Sequence, residues 1–550
     1  MKLPVKLRNL NTLFLYASFG VTFVLISIFR YFHLNSDAGD STLFQNIALQ
    51  SSPPNYTNEF LKSIQVLIRK FVSSNNEVSI LNFPSDYGLD GSLIGAHAYL
   101  SWPLFAFIMK ITGFRLFISV VAALITILPL AIATYLVSKD KNKKSIQDYL
   151  PILIVLACYP SIIWASLGQY YPDRIFVAIF PIFLLVLDWM SNHSSSKLVY
   201  ALLLLYGLTL ATTERASLYV ALACGVYVLR TQFHKILFLV LAVLSFSWSF
   251  FYYKNISTDV YTSSFFDTAR SFAGLNSLIF SILTLKLLIF HLPGIILLRK
   301  MWDLRLMLLL AMIPNLLGNI GGAEKNGWVT HYMTYIAATY IGVILVFLQR
   351  KNQVIPSQER IKTKKQIKKK KREKPDKQLI AATLTAILLF TCINPHSRAE
   401  ILEIDPIKHS GIFGSTYNWF TQGYSTADFA IYRKEIDRMA KVIPLQSRIG
   451  VSEETSKYVS ENFKSIYMFP VNIQKLDYVV LRSASNSKEY VQLPIVNYAD
   501  PDVGSQVTAQ AQKLLLGRCF IDITSGAHTT IHIFKRIWKF EFDEKCLDNE

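Results

Sequence analysis

Apolar residues in this chain are gathered into runs of the length that a membrane-spanning helix needs. Residues 12–32, 114–137 and 331–348 are three such runs, and a helix of roughly 20 apolar residues crosses the hydrocarbon core of a bilayer. Hydrophobic residues make up 52% of the chain. This fraction is too high for a soluble protein of 550 residues, so the pattern predicts a polytopic helical membrane protein.

Basic residues are concentrated in short segments between these runs. Thirteen Lys and Arg lie between residues 350 and 377, against three acidic residues. Positive residues in short loops hold those loops on the cytoplasmic side, and such a cluster can also touch anionic lipid headgroups. We therefore interpret the net charge of +19 as a topology signal, with membrane lipids as partners and no nucleic-acid partner.

Charge placement predicts eleven crossings that start from a cytoplasmic N-terminus. The apolar stretch 96–111 is short, contains Pro103 and ends at Lys110, so we interpret it as a helix lying along the membrane surface. This interpretation keeps the basic loop 139–144 inside. The predicted spans are residues 12–32, 114–137, 150–167, 175–190, 198–212, 216–229, 236–253, 275–297, 306–319, 331–349 and 378–393.

The predicted topology divides the chain into two domains. Residues 1–393 form an all-α transmembrane domain with an outer loop at 33–95, the surface helix at 96–111 and a basic cytoplasmic linker at 350–377. Residues 394–550 then lie outside. Their short apolar runs, set between polar stretches, predict a small extracytoplasmic α/β domain.

The five cysteines indicate no metal site. Cys158, Cys224 and Cys392 lie in or beside apolar spans and are typical of small core residues. Cys519 and Cys546 share the terminal domain and could form a disulfide in an oxidising compartment. The sequence does not decide whether they do.

Ionisable residues that do not signal topology gather at the predicted outer ends of the spans. Two groups, Asp173-Arg174 and Thr213-Glu214-Arg215, lie between apolar runs with almost no loop. Taken singly, such a residue is more often an ordinary solvated loop residue, but turns this short hold their charges at the membrane surface. The full set is Asp37, Asp40, His97, Asp173, Arg174, Glu214, Arg215, Glu324, Lys325 and His331.

A mixed acidic and basic site at the membrane surface suits sugar transfer from a polyprenyl phosphate. Transfer needs a carboxylate to deprotonate the acceptor hydroxyl and cations to stabilise the departing phosphate. Asp37 is the candidate base, with Asp40 second. Arg174, Arg215 and Lys325 are candidate phosphate partners, since Arg can hold phosphate with two hydrogen bonds.

The sequence defines the cofactor and metal requirements less closely than the candidate base and phosphate partners. His97 and His331 could bind substrate or join a metal site, although a lone histidine at a helix start is more often structural. The interpretation assigns no metal ligand and no certain cofactor, and it leaves room for a divalent cation.

The order of these features resembles the GT-C glycosyltransferases, multi-spanning enzymes that use lipid-phosphate sugars. A closer resemblance is to the bacterial membrane family termed domain of unknown function 2079, a GT-C relative. Asp37-Ala38-Gly39 is similar to the Asp-x-Gly start of that family, and His97 with Ser101-Trp102-Pro103 is similar to its His-x-Ser-Pro helix. His331-Tyr332 matches its His-Tyr pair.

Two turns depart from the pattern of that family. Tyr171-Pro172-Asp173 stands where the family has His-Pro-Glu, and Thr213-Glu214-Arg215 stands where it has Lys-Glu-Asp. These departures weaken a metal site and favour phosphate binding by Arg215. The predicted substrate- and phosphate-binding residues are His97, Asp173, Arg174, Glu214, Arg215, Lys325, His331 and Tyr332.

The resemblance implies an inverting membrane glycosyltransferase on the outer face of a bacterial inner membrane. The enzyme would move a sugar from polyprenyl phosphate to a cell-envelope acceptor that the terminal domain helps to select. A transporter or lipid flippase is the first alternative and needs charges or broken helices near mid-membrane; only Lys286 lies clearly inside a predicted span. A non-catalytic envelope scaffold is the second alternative.

Overall fold

The computed structural model describes most of the helical residues and part of a C-terminal sheet. The described residues are 5–32, 100–138, 150–159, 172–194, 196–231, 233–252, 282–314, 333–353, 377–392, 438–439, 441–451, 465–469, 473, 476–482, 515, 519–524 and 531–537. They are mostly helical, and a five-stranded sheet follows the helices in the chain. The predicted helical protein with a small C-terminal sheet is confirmed at this level.

The described helices follow the predicted apolar runs. They are α1 Val5–Phe32, α2 Trp102–Thr112, α3 Phe114–Ser138, α4 Leu150–Ala157, α5 Phe176–Asn192, α6 Ser196–Leu210, α7 Glu214–Arg230, α8 Lys235–Phe251, α9 Ile282–Leu297, α10 Trp302–Leu310, α11 Met333–Gln353 and α12 Lys377–Cys392.

Two of these helices end inside predicted spans. The helix α4 ends at Ala157, and the nonhelical Tyr159 precedes Pro160, whose ring disfavours helical geometry in the residue before it. The helix α10 ends at Leu310, and two turn residues separate it from the helical Ile313 and Pro314. The remaining parts of the two predicted spans, residues 160–167 and 315–319, lie outside the described residues.

A glycine separates the predicted surface helix from the helix that follows it. Gly113 has φ of +84°, a conformation that glycine adopts at little cost, and its N–H donates to the Met109 carbonyl at 2.8 Å. The Phe105 and Phe117 rings of α2 and α3 pack with centroids 5.7 Å apart. The two helices are thus distinct, while the orientation of α2 to a membrane stays a prediction.

The helix α11 lies at the centre of the helical part. All its side chains from residue 334 to residue 348 are buried, and it packs against α3, α5, α7, α9 and α10. It approaches α5 closely at Gly342, where an added Cβ would lie 3.2 Å from the Pro181 Cα. A helix that is apolar on every side belongs inside a bundle.

The peripheral helices present apolar side chains outward. Large exposed apolar residues include Leu25 of α1, Leu204 of α6, Ile236 and Val243 of α8, and Leu384 of α12. Contiguous exposed apolar surface of this kind marks contact with a partner or a membrane.

Two helical stretches among the described residues are long and apolar enough to cross a membrane. They are Leu116–Ser138, of 23 residues with mean hydropathy 2.7, and Asp173–Asn192, of 20 residues with mean hydropathy 2.0. Shorter apolar helical stretches are Leu13–Ile28, Lys197–Leu210, Lys235–Phe251, Leu288–Leu297 and Lys377–Leu389. These helices indicate membrane association.

The C-terminal strands form a mixed sheet in the order β2-β1-β3-β5-β4. The strands are β1 Arg448–Val451, β2 Ser465–Met468, β3 Tyr478–Arg482, β4 Phe520–Asp522 and β5 Ile531–Arg536. The pairs β1–β2 and β1–β3 are parallel, and the pairs β3–β5 and β4–β5 are antiparallel. The predicted apolar runs at residues 478–481 and 531–534 are therefore neighbouring strands.

Candidate functional site

Two charged residues at the start of α5 are buried. Asp173 and Arg174 lie in the 3-10 turn Pro172–Ile175 and expose 5% and 2% of their surfaces. The Tyr335 hydroxyl of α11 donates a hydrogen bond to Asp173 Oδ2 at 2.8 Å. Asp173 Oδ1 is also buried, and it has no hydrogen-bond partner among the residues that the structure describes. Only one side of this carboxylate is held by the described part of the protein.

The turn before α7 holds a second buried charged pair. The Thr213 Oγ1 atom caps the helix by accepting from the Arg215 N–H at 3.4 Å, and it donates to Glu214 Oε2 at 2.8 Å. Arg215 Nε lies 3.6 Å from Glu214 Oε1. A threonine cap with an acidic residue in the first turn stabilises a helix N-terminus, so local helix chemistry fixes the place of this pair.

An aromatic layer joins the ends of α5, α7 and α11. The Tyr335 ring lies 4.8 Å from the Phe176 ring and 5.2 Å from the Tyr219 ring, measured between centroids. Asp173 precedes Phe176 by three residues and Arg215 precedes Tyr219 by four, so each charge lies one turn beyond the layer on the same helix face. We name Asp173, Arg174, Glu214, Arg215 and Tyr335 the Asp173 cluster.

The start of α2 lies beside this cluster. The Ser101 N–H donates to the Ala211 carbonyl at 2.8 Å, in the turn that leads to Thr213. The chain that follows His97 is thereby anchored two residues before the cap of α7.

The structure brings four of the predicted site residues to one end of the helical part. Asp173, Arg174, Glu214 and Arg215 all lie in the Asp173 cluster and are all buried. The remaining predicted site residues lie outside the described residues: Asp37, Asp40, His97, Lys325, His331 and Tyr332. Glu324 is outside them as well. Tyr335 was not predicted, because a tyrosine in an apolar run gives no sign of its partner.

A second buried charged cluster lies at the other ends of the same helices. Asp188 lies near the end of α5, Arg230 ends α7, Asp303 lies in the first turn of α10 and Arg350 lies in the last turn of α11. Their side chains are 0%, 26%, 6% and 8% exposed. We name these four residues, with Tyr227 and Gln349, the Asp188 cluster.

Each cation of the Asp188 cluster contacts both of its acids. Arg350 Nη2 lies 2.6 Å from Asp188 Oδ1 and 2.7 Å from Asp303 Oδ2. Arg230 Nη1 lies 3.1 Å from Asp188 Oδ1 and 3.0 Å from Asp303 Oδ2. Tyr227 adds a hydrogen bond to Asp188 Oδ1 at 3.0 Å. The two acids and the two arginines balance in charge. Because they come from α5, α7, α10 and α11, their contacts tie four helices together.

The Asp188 cluster was not predicted from the sequence. Arg350 was interpreted there only as part of the basic linker, yet Arg350 and Arg230 both contact buried carboxylates. The overlooked signal is Asp188, an acidic residue inside the apolar run 175–190. Charged residues inside apolar spans are costly and usually paired.

A histidine is buried where α4, α9 and α11 meet. His291 Nε2 lies 3.4 Å from the Tyr159 hydroxyl, and the Tyr159 ring stacks on the Tyr340 ring with centroids 4.0 Å apart. All three side chains are at most 2% exposed. The sequence analysis did not identify this histidine.

The terminal sheet carries an exposed ion pair between β1 and β3. Arg448 Nη2 and Nε lie 3.1 and 3.2 Å from Asp477 Oδ1 and Oδ2, and the Arg448 N–H donates to Asp477 Oδ2 at 2.9 Å. Partial burial acts to raise the pKa of Asp477, but these hydrogen bonds outweigh it and hold the pKa below its usual range.

Asp477→Asn should lower the stability of the terminal sheet by about 1 kcal/mol near neutral pH. A carboxyl group with a lowered folded pKa stabilises the fold above its unfolded pKa of about 4, and this contribution is lost as pH falls through the folded value. Hydrogen exchange of β1 and β3 amides in the full chain would measure the difference at each pH. A difference that persists unchanged well below pH ~4 would contradict the assignment.

Cysteine chemistry differs between the two parts of the chain. Cys158 and Cys224 of the helical part are free thiols. Cys519, at the start of β4, is disulfide-bonded, and its partner is outside the residues whose side chains are described. Cys546, which the sequence allows as the partner, lies outside the described residues.

The described residues provide no group of three or more His, Cys, Asp or Glu side chains that could hold a metal ion. In the Asp173 cluster, Glu214 already contacts Thr213 and Arg215, so Asp173 Oδ1 is the one carboxylate oxygen of that cluster that lacks a described partner. This arrangement suits a neutral hydrogen-bond donor better than a divalent cation, which needs several oxygen ligands.

Comparisons with known proteins identify no relative: no family model, no curated protein and no solved structure matches this chain.

Proposed function

We propose that the chain is a polytopic inner-membrane protein of bacteria with about eleven crossings. The support is the distribution of side chains, because apolar residues cover the outward faces of α1, α6, α8 and α12 while charged residues are buried between the central helices. This arrangement is the reverse of that in a soluble bundle. Lipid would cover the apolar faces, whose burial is favourable.

The proposed topology places the Asp188 cluster at the cytoplasmic face and the Asp173 cluster at the outer face. Charge placement assigns the ends that carry Asp188, Arg230, Asp303 and Arg350 to one side, and these residues do contact one another. The disulfide at Cys519 supports an extracytoplasmic terminal domain, because disulfides persist in oxidising compartments.

The proposed activity is transfer of a sugar from a polyprenyl phosphate to a cell-envelope acceptor. The observation that carries this proposal is that Asp173, Arg174, Glu214 and Arg215 are buried together at one end of the bundle. Buried arginines suit a phosphate that has left water. Asp37 would act as the base, and it follows directly after α1 in the sequence.

In this mechanism the cations act on the leaving group and the acid acts on the acceptor. Arg174 and Arg215 would stabilise the negative charge that develops on the departing phosphate. Asp37 would take the proton of the acceptor hydroxyl as its oxygen attacks the sugar carbon. Attack from the face opposite the phosphate inverts the configuration at that carbon.

Arg215→Gln should reduce kcat/KM for polyprenyl-phosphate sugar about 10- to 100-fold, because a charged hydrogen bond to phosphate is lost. The measurement is transfer of labelled sugar from extracted polyprenyl-phosphate hexoses to cell-envelope material by protein reconstituted in liposomes. Arg299→Gln is the matched control, since Arg299 is exposed in the turn between α9 and α10. Equal activity of the two variants would remove Arg215 from the phosphate site.

A transporter or flippase is the second candidate. The specific observation in its favour is that buried charges occupy both ends of the same helices, as two gates would. Flux of a labelled lipid or solute across liposomes that contain the protein tests this candidate. Flux without any glycosylated product would favour transport, and product without flux would favour the enzyme.

A further inference from the structure

One carboxylate oxygen of the Asp173 cluster is buried without a described protein partner. Asp173 is 5% exposed, and its Oδ2 atom accepts the Tyr335 hydrogen bond at 2.8 Å. Its Oδ1 atom is shielded from solvent and has no hydrogen-bond partner among the described residues. Buried carboxylate oxygens are almost always hydrogen-bonded, so this oxygen is adapted to a donor that the described residues do not supply.

The hydrogen bond from a buried tyrosine fixes the orientation of Asp173. Tyr335 is fully buried and packs against both the Phe176 and Tyr219 rings, so its hydroxyl holds Oδ2 in place. The Tyr219 hydroxyl is engaged elsewhere, because it donates to the Ala311 carbonyl at 3.1 Å. Oδ1 is therefore a fixed acceptor next to Arg174 in the chain.

We propose that Asp173 Oδ1 accepts a hydrogen bond from a ring hydroxyl of the sugar that is attached to the lipid phosphate. This inference rests on the proposed function and names the group that the Asp173 cluster recognises. Arg174 is the adjacent residue and is assigned to the phosphate, so the nearest part of a glycosyl phosphate is its sugar ring. A hydroxyl satisfies one acceptor without adding charge to a cluster that already balances two acids against two arginines.

Asp173→Asn tests the role of this oxygen. The side-chain carbonyl of the substituted residue would accept from Tyr335 in place of Oδ2, which leaves an amide N–H₂ group at the Oδ1 position. That group cannot accept the proton of a hydroxyl. Tyr335→Phe is the matched comparison, because it removes the tyrosine hydroxyl and keeps the carboxylate.

The probes are farnesyl-phosphate hexoses and a series of analogues that each lack one ring hydroxyl. The readout is binding to the full-length protein in lipid nanodiscs. The wild type should bind one analogue of the series about 10- to 100-fold more weakly than the parent, as expected for a charged hydrogen bond. Asp173→Asn should bind that analogue and the parent almost equally, whereas Tyr335→Phe, which keeps the carboxylate but no longer holds Oδ2, should retain a smaller discrimination.

Two results would overturn the inference while leaving the proposed function in place. In the first, Asp173→Asn weakens binding of every analogue by the same factor, as expected if Asp173 is only structural. In the second, Mn²⁺ binds to the wild type, Asp173→Asn abolishes this binding, and no single hydroxyl matters. Failure of the wild type to bind any of the glycolipids would instead remove the proposed function together with this inference.

Discussion

Asp188→Leu is expected to destabilise the helical part by about 3–5 kcal/mol, the usual cost of breaking a buried ion pair. Asp188 is fully buried and contacts Arg230, Arg350 and Tyr227. Its loss leaves two arginines against Asp303 alone, so one buried positive charge has no counterpart. The midpoint of thermal unfolding in detergent and the amount of protein in membranes would both fall.

A second substitution separates charge imbalance from lost packing. Asp188→Leu combined with Arg350→Met leaves the neutral pair of Arg230 and Asp303, which lie 3.0 Å apart. We expect the double variant to be more stable than either single variant, because residues in one ion-pair network do not behave additively. Trp189→Leu, at an exposed neighbouring position, controls for changes to α5 itself. Simple addition of the two single costs would contradict the charge argument.

Asp37→Asn is expected to lower the transfer rate by about 10²- to 10⁴-fold, the usual contribution of a general base. The amide cannot accept the proton of the acceptor hydroxyl. The substitution changes neither size nor hydropathy greatly, so the amount of protein in the membrane should stay at the wild-type level. Sugar transfer in reconstituted liposomes measures the effect.

Asp40→Asn is the natural comparison, because Asp40 lies in the same segment and is the second candidate base. A small loss for Asp40→Asn beside a large loss for Asp37→Asn assigns the base to Asp37, and the reverse pattern assigns it to Asp40. Full activity of Asp37→Asn would exclude it from the mechanism. Reporter fusions that place residue 40 in the cytosol would exclude both carboxylates from an outer site.

Hydropathy predicts the positions of the helices because the apolar residues of this chain are gathered into long runs. The connection at Thr213-Glu214-Arg215 was predicted correctly as short, because almost no residues separate the two apolar runs beside it. Hydropathy did not predict where α4 and α10 end, since the turns at residues 158 and 311–312 lie inside apolar runs. The strands at residues 478–481 and 531–534 were recognisable as apolar segments in the sequence. Their antiparallel pairing could not be predicted from it.

Side-chain partners could not be predicted, because they depend on how each helix is rotated about its axis. Tyr335 reaches Asp173 across 162 residues of sequence, and Arg350 reaches Asp188 across the same separation. Neither pair follows from local spacing. Charge placement did group the ends that carry Asp188, Arg230, Asp303 and Arg350 on one side, although it gave no reason to expect direct contact.

The central place of α11 bears on how the protein is synthesised. The helices α3, α5, α7, α9 and α10 all precede α11 in the chain and pack around it, so the ribosome produces the neighbours of α11 before α11 itself. Those helices cannot reach their final contacts until residues 333–353 have been made. Chains interrupted earlier would retain Asp188 and Asp303 without Arg350, and assembly of the bundle therefore awaits one late segment.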